Sequence, residues 1–449
     1  MNCDLLVEGE AVLCLDADYR VFEPGYVAIR DGAIVGVGPG ADAAPEAGRW
    51  QASRRIGGPT TLVLPGFVNA HTHVPMAAFR GACEDMEDRL TRFLFPMEQR
   101  LVRADLVLQA SRFCLAEMAK SGTTTFADMY YFEDEVARAA TEVGLRCLLG
   151  ETVVDFASPD SREPYGGIGY AARFIEEWKG NPLIQPCFAP HAPYTVDEAH
   201  LRKIWAEAKR LGVPVMMHVA EAAKENERFR ASHGSVVRYL DSIGCLDERL
   251  IAAHMIYVDD EDIALLKRRD VAIAHCPASN AKSGRPIAPA YKFREAGLRL
   301  GLATDGPVSG NGMDMMGVVS LYPKLQKVLS GRREAISSRE ALRAATLGGA
   351  EALGLGDKTG SLEVGKRADL VLADTDDFSV QPVYDWYATA VYAMKPHNVK
   401  SVIVDGRFVV EDGRMAGIDE AETKAAMRAI AARCRGEIGK LQAEVMSRP

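Results

Sequence analysis

The feature that most constrains the fold is the alternation of short apolar runs with amphipathic stretches within residues 62–362. The apolar runs have the length and composition of buried strands, and the stretches between them have helical periodicity, as in Ala104–Lys120 and Glu133–Val143. Strands that alternate with helices predict a parallel sheet, and eight such units predict a (β/α)8 TIM barrel. The predicted strands are Leu64–His71, Thr124–Asp128, Arg146–Val154, Ile184–Ala189, Pro214–Val219, Leu250–His254, Val271–His275 and Arg299–Thr304.

The segments on either side of the predicted barrel have β character. Short alternating runs are separated by turn residues such as Asp31-Gly32, an Ala-rich loop is predicted near Ala41–Ala47, and a final helix is predicted at Glu420–Glu444. The predicted strands are Asp4–Glu8, Tyr26–Arg30, Ala33–Val37, Ala368–Ala373, Val399–Val404 and Arg407–Glu411. We expect the two flanks to pair into one small β-sandwich. The predicted domains are 1–61 and 363–449 for the sandwich and 62–362 for the barrel.

Composition excludes several classes of protein. The formal net charge is −9, and no run of basic residues stands out, so we expect no nucleic-acid partner. No apolar run approaches about 18 residues, and the amino terminus lacks a basic segment, so we expect neither a membrane partner nor a secretory signal. The nine cysteines include no CxxC pair, which favours free thiols in a cytoplasmic protein. Whether the chain forms a homo-oligomer is left open.

Polar residues are concentrated where the predicted barrel strands end. Six of the nine histidines lie at or just after a strand end, and Asp305 follows the eighth strand. Active sites of this fold lie at the carboxyl end of the strands, so we expect these side chains to share one site. The six histidines are His71, His73, His191, His218, His254 and His275.

The strongest local signal is His71-Thr72-His73. Residues two apart on a strand point to the same side, so both imidazoles can reach one ion. With His218 and Asp305 they make three imidazoles and a carboxylate, a ligand set that suits one divalent ion, Zn²⁺ above all, and leaves a position for an activated water. No lysine stands at the end of strand four to bridge two metals; His191 does, which favours a single ion.

Glu221 follows His218 by three residues and is a candidate general acid or base beside that water. Glu225 and Glu227, a few residues on, are expected to be solvated. For His254 three roles stay open: a further metal ligand, an electrophile, or a hydrogen-bonded core histidine. We favour a role next to the water, outside the metal's ligands.

These residues together resemble the amidohydrolase superfamily. The segments Pro65-Gly66-Phe67-Val68-Asn69-Ala70-His71-Thr72-His73, His218-Val219-Ala220-Glu221, His275-Cys276-Pro277-Ala278-Ser279-Asn280 and Thr304-Asp305-Gly306 resemble its strand-end motifs, and Gly360–Val371 resembles its re-entry into the β domain. Within the superfamily, Phe95-Pro96-Met97-Glu98 and Ala189-Pro190-His191-Ala192-Pro193-Tyr194 are most similar to the S-adenosylhomocysteine/5′-methylthioadenosine deaminases.

The resemblance implies a role for each matching residue. His71, His73, His218 and Asp305 would hold the metal, and Asp305 would also take a proton from the water. Glu221 would protonate a ring nitrogen and pass the proton to the departing ammonia, while His254 would orient the nucleophile. Glu98 would bind the ribose hydroxyls and His191 the purine; the alternative for Glu98 is a helix cap near Arg103 or a solvated side chain.

The sequence departs from the family at the homocysteine end. Glu151 stands at the end of strand three where an arginine is expected, and Arg162 is the nearest substitute. The prediction is therefore a deaminase of an adenosine-type nucleoside, such as 5′-methylthioadenosine, 5′-deoxyadenosine or S-adenosylhomocysteine. The alternatives are hydrolysis of another ring of guanine, pterin or s-triazine type, and a non-catalytic barrel.

Overall fold

The computed structural model describes residues 1–40, 50–86 and 88–447. The loop predicted near Ala41–Ala47 lies outside these residues. Within the described ranges no helix combines the length and apolarity needed to cross a membrane. All nine cysteines are buried as free thiols.

The described strands are β1 (Asn2–Leu13), β2 (Val21–Phe22), β3 (Gly25–Arg30), β4 (Ala33–Pro39), β5 (Gln51–Pro65), β6 (Phe67–Thr72), β7 (Thr123–Tyr130), β8 (Arg146–Val153), β9 (Ile184–Pro190), β10 (Val215–Val219), β11 (Leu250–His254), β12 (Ala272–His275), β13 (Arg299–Leu302), β14 (Leu370–Asp374), β15 (Val399–Val404), β16 (Arg407–Glu411) and β17 (Arg414–Met415).

The described α-helices are α1 (Phe95–Leu101), α2 (Ala104–Lys120), α3 (Glu133–Val143), α4 (Gly167–Trp178), α5 (Glu198–Leu211), α6 (Ala223–His233), α7 (Val236–Ser242), α8 (Asp260–Arg268), α9 (Pro277–Lys282), α10 (Ala290–Glu295), α11 (Met315–Ser330), α12 (Ser338–Ala344), α13 (Leu347–Ala352), α14 (Trp386–Ala388) and α15 (Glu420–Met446). Short 3-10 or π-helical turns cover Val74–Phe79, Leu90–Leu94, Thr389–Ala393 and Pro396–Asn398.

The predicted barrel is confirmed. Strands β6 to β13 form one parallel sheet in chain order. The Asn69 side chain joins its two ends: Nδ2 donates to the Thr304 hydroxyl at 2.7 Å, and Oδ1 accepts from the Thr304 amide at 3.0 Å. One residue on, the Asp305 amide donates to the His71 carbonyl at 3.1 Å. The first and last strands therefore meet beside the residues predicted to bind metal.

Side chains at every second position of each strand point into the barrel, and many of them are small. They include Ala70, Ala127, Ala189, Ala253, Ala274 and Ala303. Helix α13 packs Ala350 and Ala352 into the same cluster. A Cβ on Gly349 would lie 2.8 Å from the Cβ of Val68, so glycine is required for this helix to approach β6. The helix closes the end of the barrel away from the histidines.

The terminal segments form a second, mixed sheet in the order β17-β16-β15-β14-β5-β1-β3-β4, with β2 beside β1. The two flanks pair where β14 runs antiparallel to β5, which confirms the predicted small β domain. One predicted strand, Leu64–His71, is in fact two: Leu64 belongs to β5, and the barrel strand begins at Phe67. Between them Gly66 packs on Thr124, where a Cβ would clash. The domain boundaries at residues 61 and 362 stay predictions.

A buried ion pair connects the two parts. Arg146, at the start of β8, donates from Nε and Nη2 to the carboxylate of Asp369 at 2.8 and 3.1 Å. The Thr359 hydroxyl also donates to Asp369, at 2.8 Å. This two-point contact fixes the β domain against the end of the barrel opposite the strand ends that carry the histidines.

Candidate active site

Five polar side chains meet at the carboxyl end of the barrel: His71 and His73 at the end of β6, His218 on β10, His254 at the end of β11, and Asp305 after β13. All five are buried. Neighbouring imidazole rings lie 4.7 Å apart for His71 and His73 and 4.9 Å apart for His71 and His218. The structure thus brings together every residue predicted to hold the metal.

Backbone carbonyls orient two of these imidazoles. His73 Nδ1–H donates to the Met129 carbonyl at 2.6 Å, and His218 Nδ1–H donates to the His191 carbonyl at 2.7 Å. A proton fixed on Nδ1 leaves the lone pair of Nε2 free for a metal. The two Nε2 atoms lie 3.3 Å apart, so both point to one place.

His71 is fully buried, and neither of its ring nitrogens has a hydrogen-bond partner among the described residues. Burial and the neighbouring imidazoles lower its pKa well below the ordinary value, so the ring is neutral. A buried polar atom without a partner is costly, and a metal ligand is one of the few roles that removes the cost.

Asp305 faces the same point. Its Oδ1 lies 3.5 Å from His73 Nε2 and 4.0 Å from His71 Nε2, and accepts from the Gly306 amide at 2.6 Å. Its Oδ2 accepts from the Ser279 hydroxyl at 2.6 Å. The carboxylate is therefore held at both oxygens, with one turned toward the histidines.

The donor set fits a divalent metal. Ligand atoms of His71, His73 and Asp305 lie within 4.8 Å of one another, and so do those of His71, His218 and His254. Imidazole nitrogens with one carboxylate oxygen are the ligands that Zn²⁺ favours in catalytic sites. His254, whose Nδ1–H donates to Asn280 Oδ1 at 2.9 Å, differs from the others because its Nε2 lies 3.7 Å from Glu221 Oε1. It stands between the metal ligands and Glu221.

Glu221 lies on the loop after β10 and contacts the side chains of Arg285 and His254. Arg285 Nη1 donates to Oε1, the oxygen that His254 also approaches. Burial raises the pKa of Glu221, but the charges of His254 and Arg285 outweigh it and hold the pKa far below its ordinary value. Glu221 is therefore a carboxylate in the free protein.

The prediction that Glu225 is solvated is wrong. Glu225 is buried, and its carboxylate accepts from the backbone amides of Ala220 at 3.1 Å and Glu221 at 2.9 Å. Burial raises its pKa to about 7 despite these bonds. Glu225 fixes the backbone that carries Glu221, a role that follows from the fold of helix α6 and could not be read from the charge pattern.

A cavity of about 870 Å³ opens onto these residues. Both residues predicted to bind substrate line it: His191, after β9, and Glu98, on α1. The Thr195 hydroxyl, which donates to the Ala192 carbonyl at 3.2 Å, accepts from His191 Nδ1–H at 2.9 Å. His191 Nε2 is therefore left to a ligand.

Glu98 is buried, so the alternative of a solvated side chain is wrong. Its Oε1 has no hydrogen-bond partner among the described residues. Burial raises the pKa of Glu98 to about 8. An unpaired oxygen of a buried carboxyl group at the wall of a cavity is suited to accept a hydrogen bond from a hydroxyl group of a ligand.

Three residues considered in the sequence lie outside this cavity. His275 is buried with its ring 5.5 Å from that of Tyr322 on α11, as a structural role requires. Glu151 is buried and accepts from the Glu133 amide at 3.1 Å. Arg162 is exposed on the loop before α4 and does not line the cavity.

Sequence reasoning missed three residues that contact the proposed catalytic groups. They are carried by α9 and the turn after it: Ser279 contacts Asp305, Asn280 contacts His254, and Arg285 contacts Glu221. The sequence motif that begins at His275 includes Ser279 and Asn280 but predicts no role for either. Its polar residues after Pro277 were the available signal.

Residues 62–409 match the model of the amidohydrolase family. The chain belongs to this family. The resemblance inferred from the strand-end motifs is thereby confirmed. A 5-methylthioadenosine/S-adenosylhomocysteine deaminase of Syntrophobacter fumaroxidans is 39% identical over 96% of this chain and 98% of its own length. A 5′-deoxyadenosine deaminase of Methanosarcina acetivorans is 34% identical over 93% of this chain and 95% of its own.

A solved relative has the same fold. The crystal structure of an adenosine deaminase from Xanthomonas campestris with bound zinc superposes with a TM-score of 0.94 at 34% identity. The match covers 97% of this chain and 99% of that one. As a member of the amidohydrolase family, the chain is a hydrolase that acts on C–N bonds.

Proposed function

We propose that this amidohydrolase is a zinc-dependent deaminase that hydrolyses the amino group of an adenosine-type nucleoside with a modified 5′ position. The observation that carries the proposal is one cavity shared by a histidine cluster, two carboxylates beside it and the buried carboxyl group of Glu98. Similar proteins named as deaminases of 5′-modified adenosines, and a solved relative named as an adenosine deaminase, support it.

One zinc ion would be held by His71, His73, His218 and Asp305. The ion supplies the Lewis acidity that makes water nucleophilic near neutral pH. Bound zinc in the Xanthomonas campestris relative and the convergence of Nε2 atoms support this assignment. His254 stays outside the ligand set, since Asn280 and Glu221 flank its two nitrogens.

The two carboxylates move the protons. Glu221 is ionised in the free protein, so the proton that it gives to the ring nitrogen has to come first from the attacking water. The resemblance implies that Glu221 also passes a proton to the ammonia; in the scheme proposed here Asp305 does so instead. It takes the second proton of that water and gives it to the departing amine, which leaves as ammonia. The ring carbon keeps the oxygen. His254 orients the water through Nε2, because Asn280 holds its Nδ1.

Glu98 would accept the ribose hydroxyls, and His191 would contact the purine. Glu98 is buried at the cavity wall with an oxygen free, and His191 is fixed through Thr195 with Nε2 free. A bare heterocycle would leave the buried Glu98 carboxyl without a partner, which favours a nucleoside.

The cavity favours an apolar 5′ substituent over a homocysteine chain. Apolar side chains, among them Leu90, Leu94 and Phe95, line it. Of the five Lys and Arg side chains that line it, four are ion-paired within the protein: Arg89 and Lys282 with Glu84, Lys224 with Asp88, and Arg285 with Glu221. The fifth, Arg228, donates to the Tyr194 carbonyl at 3.0 Å. We expect 5′-methylthioadenosine and 5′-deoxyadenosine to be better substrates than S-adenosylhomocysteine.

The experiment is ammonia release from a panel of compounds by zinc-loaded protein. The panel contains adenosine, the three 5′-modified adenosines, guanine, a pterin and an s-triazine. Turnover of 5′-modified adenosines with the highest kcat/KM supports the proposal. Higher kcat/KM on guanine, the pterin or the triazine would replace it with the alternative ring hydrolase, and absence of turnover with zinc bound would favour the non-catalytic barrel.

A further inference from the structure

Arg285 is the one cation that contacts Glu221 from outside the histidine cluster, as far as the described residues extend. Its side chain is 30% exposed and that of Glu221 is 15% exposed, so the ion pair lies at the inner wall of the cavity, partly shielded from water. A charge pair in such a place is screened less than one on the surface.

The backbone fixes where Arg285 stands. Helix α9 ends at Lys282, and Gly284 follows with φ of +67°, a left-handed turn that favours glycine. The Arg285 amide donates to the Asn280 carbonyl at 3.1 Å, and Pro286 restricts Arg285 to extended conformations. The guanidinium group is therefore presented to Glu221 by a short, well-defined turn.

The ion pair occupies only one oxygen of Glu221. Arg285 Nη1 and His254 Nε2 both approach Oε1. Oε2 is thereby left as the oxygen that can face the water and the substrate ring. The amide of Glu221 is held by Glu225 at 2.9 Å, so both ends of the residue are fixed.

We propose that Arg285 is a positioning residue that holds Glu221 through Oε1 and keeps it ready, as a carboxylate, to receive the first proton. The inference rests on the proposed function, in which Glu221 carries a proton from water to the ring. Without Arg285, Glu221 would turn freely and would be protonated over part of the working pH range. A protonated Glu221 cannot accept the proton of the water.

Other groups also face Glu221, and they limit what Arg285 does alone. The groups that interact electrostatically with the Glu221 carboxylate come from several elements: His254 from β11, His218 from β10, His191 and Tyr194 from the loop after β9, and Glu225 from α6. Burial and Glu225 favour the neutral acid, whereas Arg285 and the neighbouring imidazoles favour the carboxylate. Unlike these groups, Arg285 carries a permanent positive charge, and it lies outside the proposed metal ligands.

The test compares Arg285→Met, Arg285→Lys and Arg249→Met. Arg249 has 26% of its side chain exposed and pairs with Asp247 at the start of β11, away from the cavity, so it is a matched control. We expect Arg285→Met to lower kcat about 10–100-fold, as loss of a group that orients a reacting residue does. Its acid limb of kcat/KM should move up by about one to three pH units. Arg285→Lys should restore most of both, and Arg249→Met should behave as wild type.

Zinc content and thermal midpoint are measured for each variant, and Arg285→Gln replaces Arg285→Met if that variant does not fold. An acid limb that stays in place overturns the proposal. So does a rise in KM alone, which would make Arg285 a substrate-binding residue, and so does a lysine variant no better than methionine.

A second readout does not depend on turnover. Difference infrared spectra against Glu221→Gln identify the Glu221 carboxylate band in protein without substrate. We expect this band to persist to lower pH in wild type than in Arg285→Met. If wild type deaminates no nucleoside, the proposed function fails while the infrared comparison still decides the role of Arg285; equal titration in the two proteins overturns it.

Discussion

Replacing Glu98 with glutamine tests whether its buried carboxyl group lowers the stability of the protein at high pH and also binds the substrate. Burial raises the pKa of Glu98 from its ordinary 4.5 to about 8. The folded chain thus holds the proton up to about pH 8, whereas the unfolded chain releases it near pH 4.5. Stability therefore falls as pH rises between these values. At about 1.4 kcal/mol for each pKa unit, the loss is at most about 5 kcal/mol.

Glu98→Gln has no proton to lose, so it should escape this decline. The difference in free energy of unfolding between the variant and wild type should shift in favour of the variant by a few kcal/mol from pH 5 to pH 8.5. Urea unfolding of the zinc-loaded proteins at both pH values measures it, with the exposed Glu163→Gln as control. The same Glu98 variant should lose roughly 10–100-fold in kcat/KM for nucleosides, the value of one or two hydrogen bonds.

The two results answer different questions. Equal pH dependence in Glu98→Gln and wild type would mean that the carboxyl group is not held neutral in the folded chain. Unchanged kcat/KM for nucleosides would remove Glu98 from ribose binding. A variant that is more stable at high pH and poorer with nucleosides is the outcome that the structure requires.

Three further substitutions address the metal and the catalytic groups. His73→Ala should abolish the single zinc equivalent that elemental analysis finds in wild type, and two equivalents in active wild type would contradict a one-metal site. Glu221→Gln should lower kcat by about 10²–10⁴-fold at unchanged zinc content, and an unchanged kcat would exclude it from proton transfer. Asn280→Ala should lower kcat more than it raises KM, because His254 loses its partner at Nδ1; a change in KM alone would point to substrate binding instead.

Much of the fold could be predicted from local pattern. Helices α2 and α3 coincide with the predicted Ala104–Lys120 and Glu133–Val143, because each has a clear apolar face. The break at Gly66 could not be predicted. Apolar residues continue on both sides of it, and nothing local tells that β5 pairs with β14 while β6 pairs with β7.

The histidines of the site could be predicted because strand ends of a barrel converge, and convergence needs only the strand positions. The residues that orient them could not. Asn69 and Thr304 are 235 residues apart, and Arg285 and Glu221 are 64 apart. Such contacts depend on how the loops close over the barrel. The burial of Glu225 likewise depends on the start of α6, since neighbouring Glu227 is exposed.

Backbone strain connects these contacts to function. His254 has φ of +77° and Asp305 has φ of +61°, in the left-handed region that residues other than glycine seldom adopt. Each such residue costs about 1–3 kcal/mol and persists only where its surroundings hold it. Helix α9 supplies the restraint, since Asn280 accepts from His254 and Ser279 donates to Asp305. With Arg285 on the following turn, this one short segment contacts all three proposed catalytic side chains. The chemistry of the site therefore depends as much on where α9 is anchored as on the strands that carry the reacting groups.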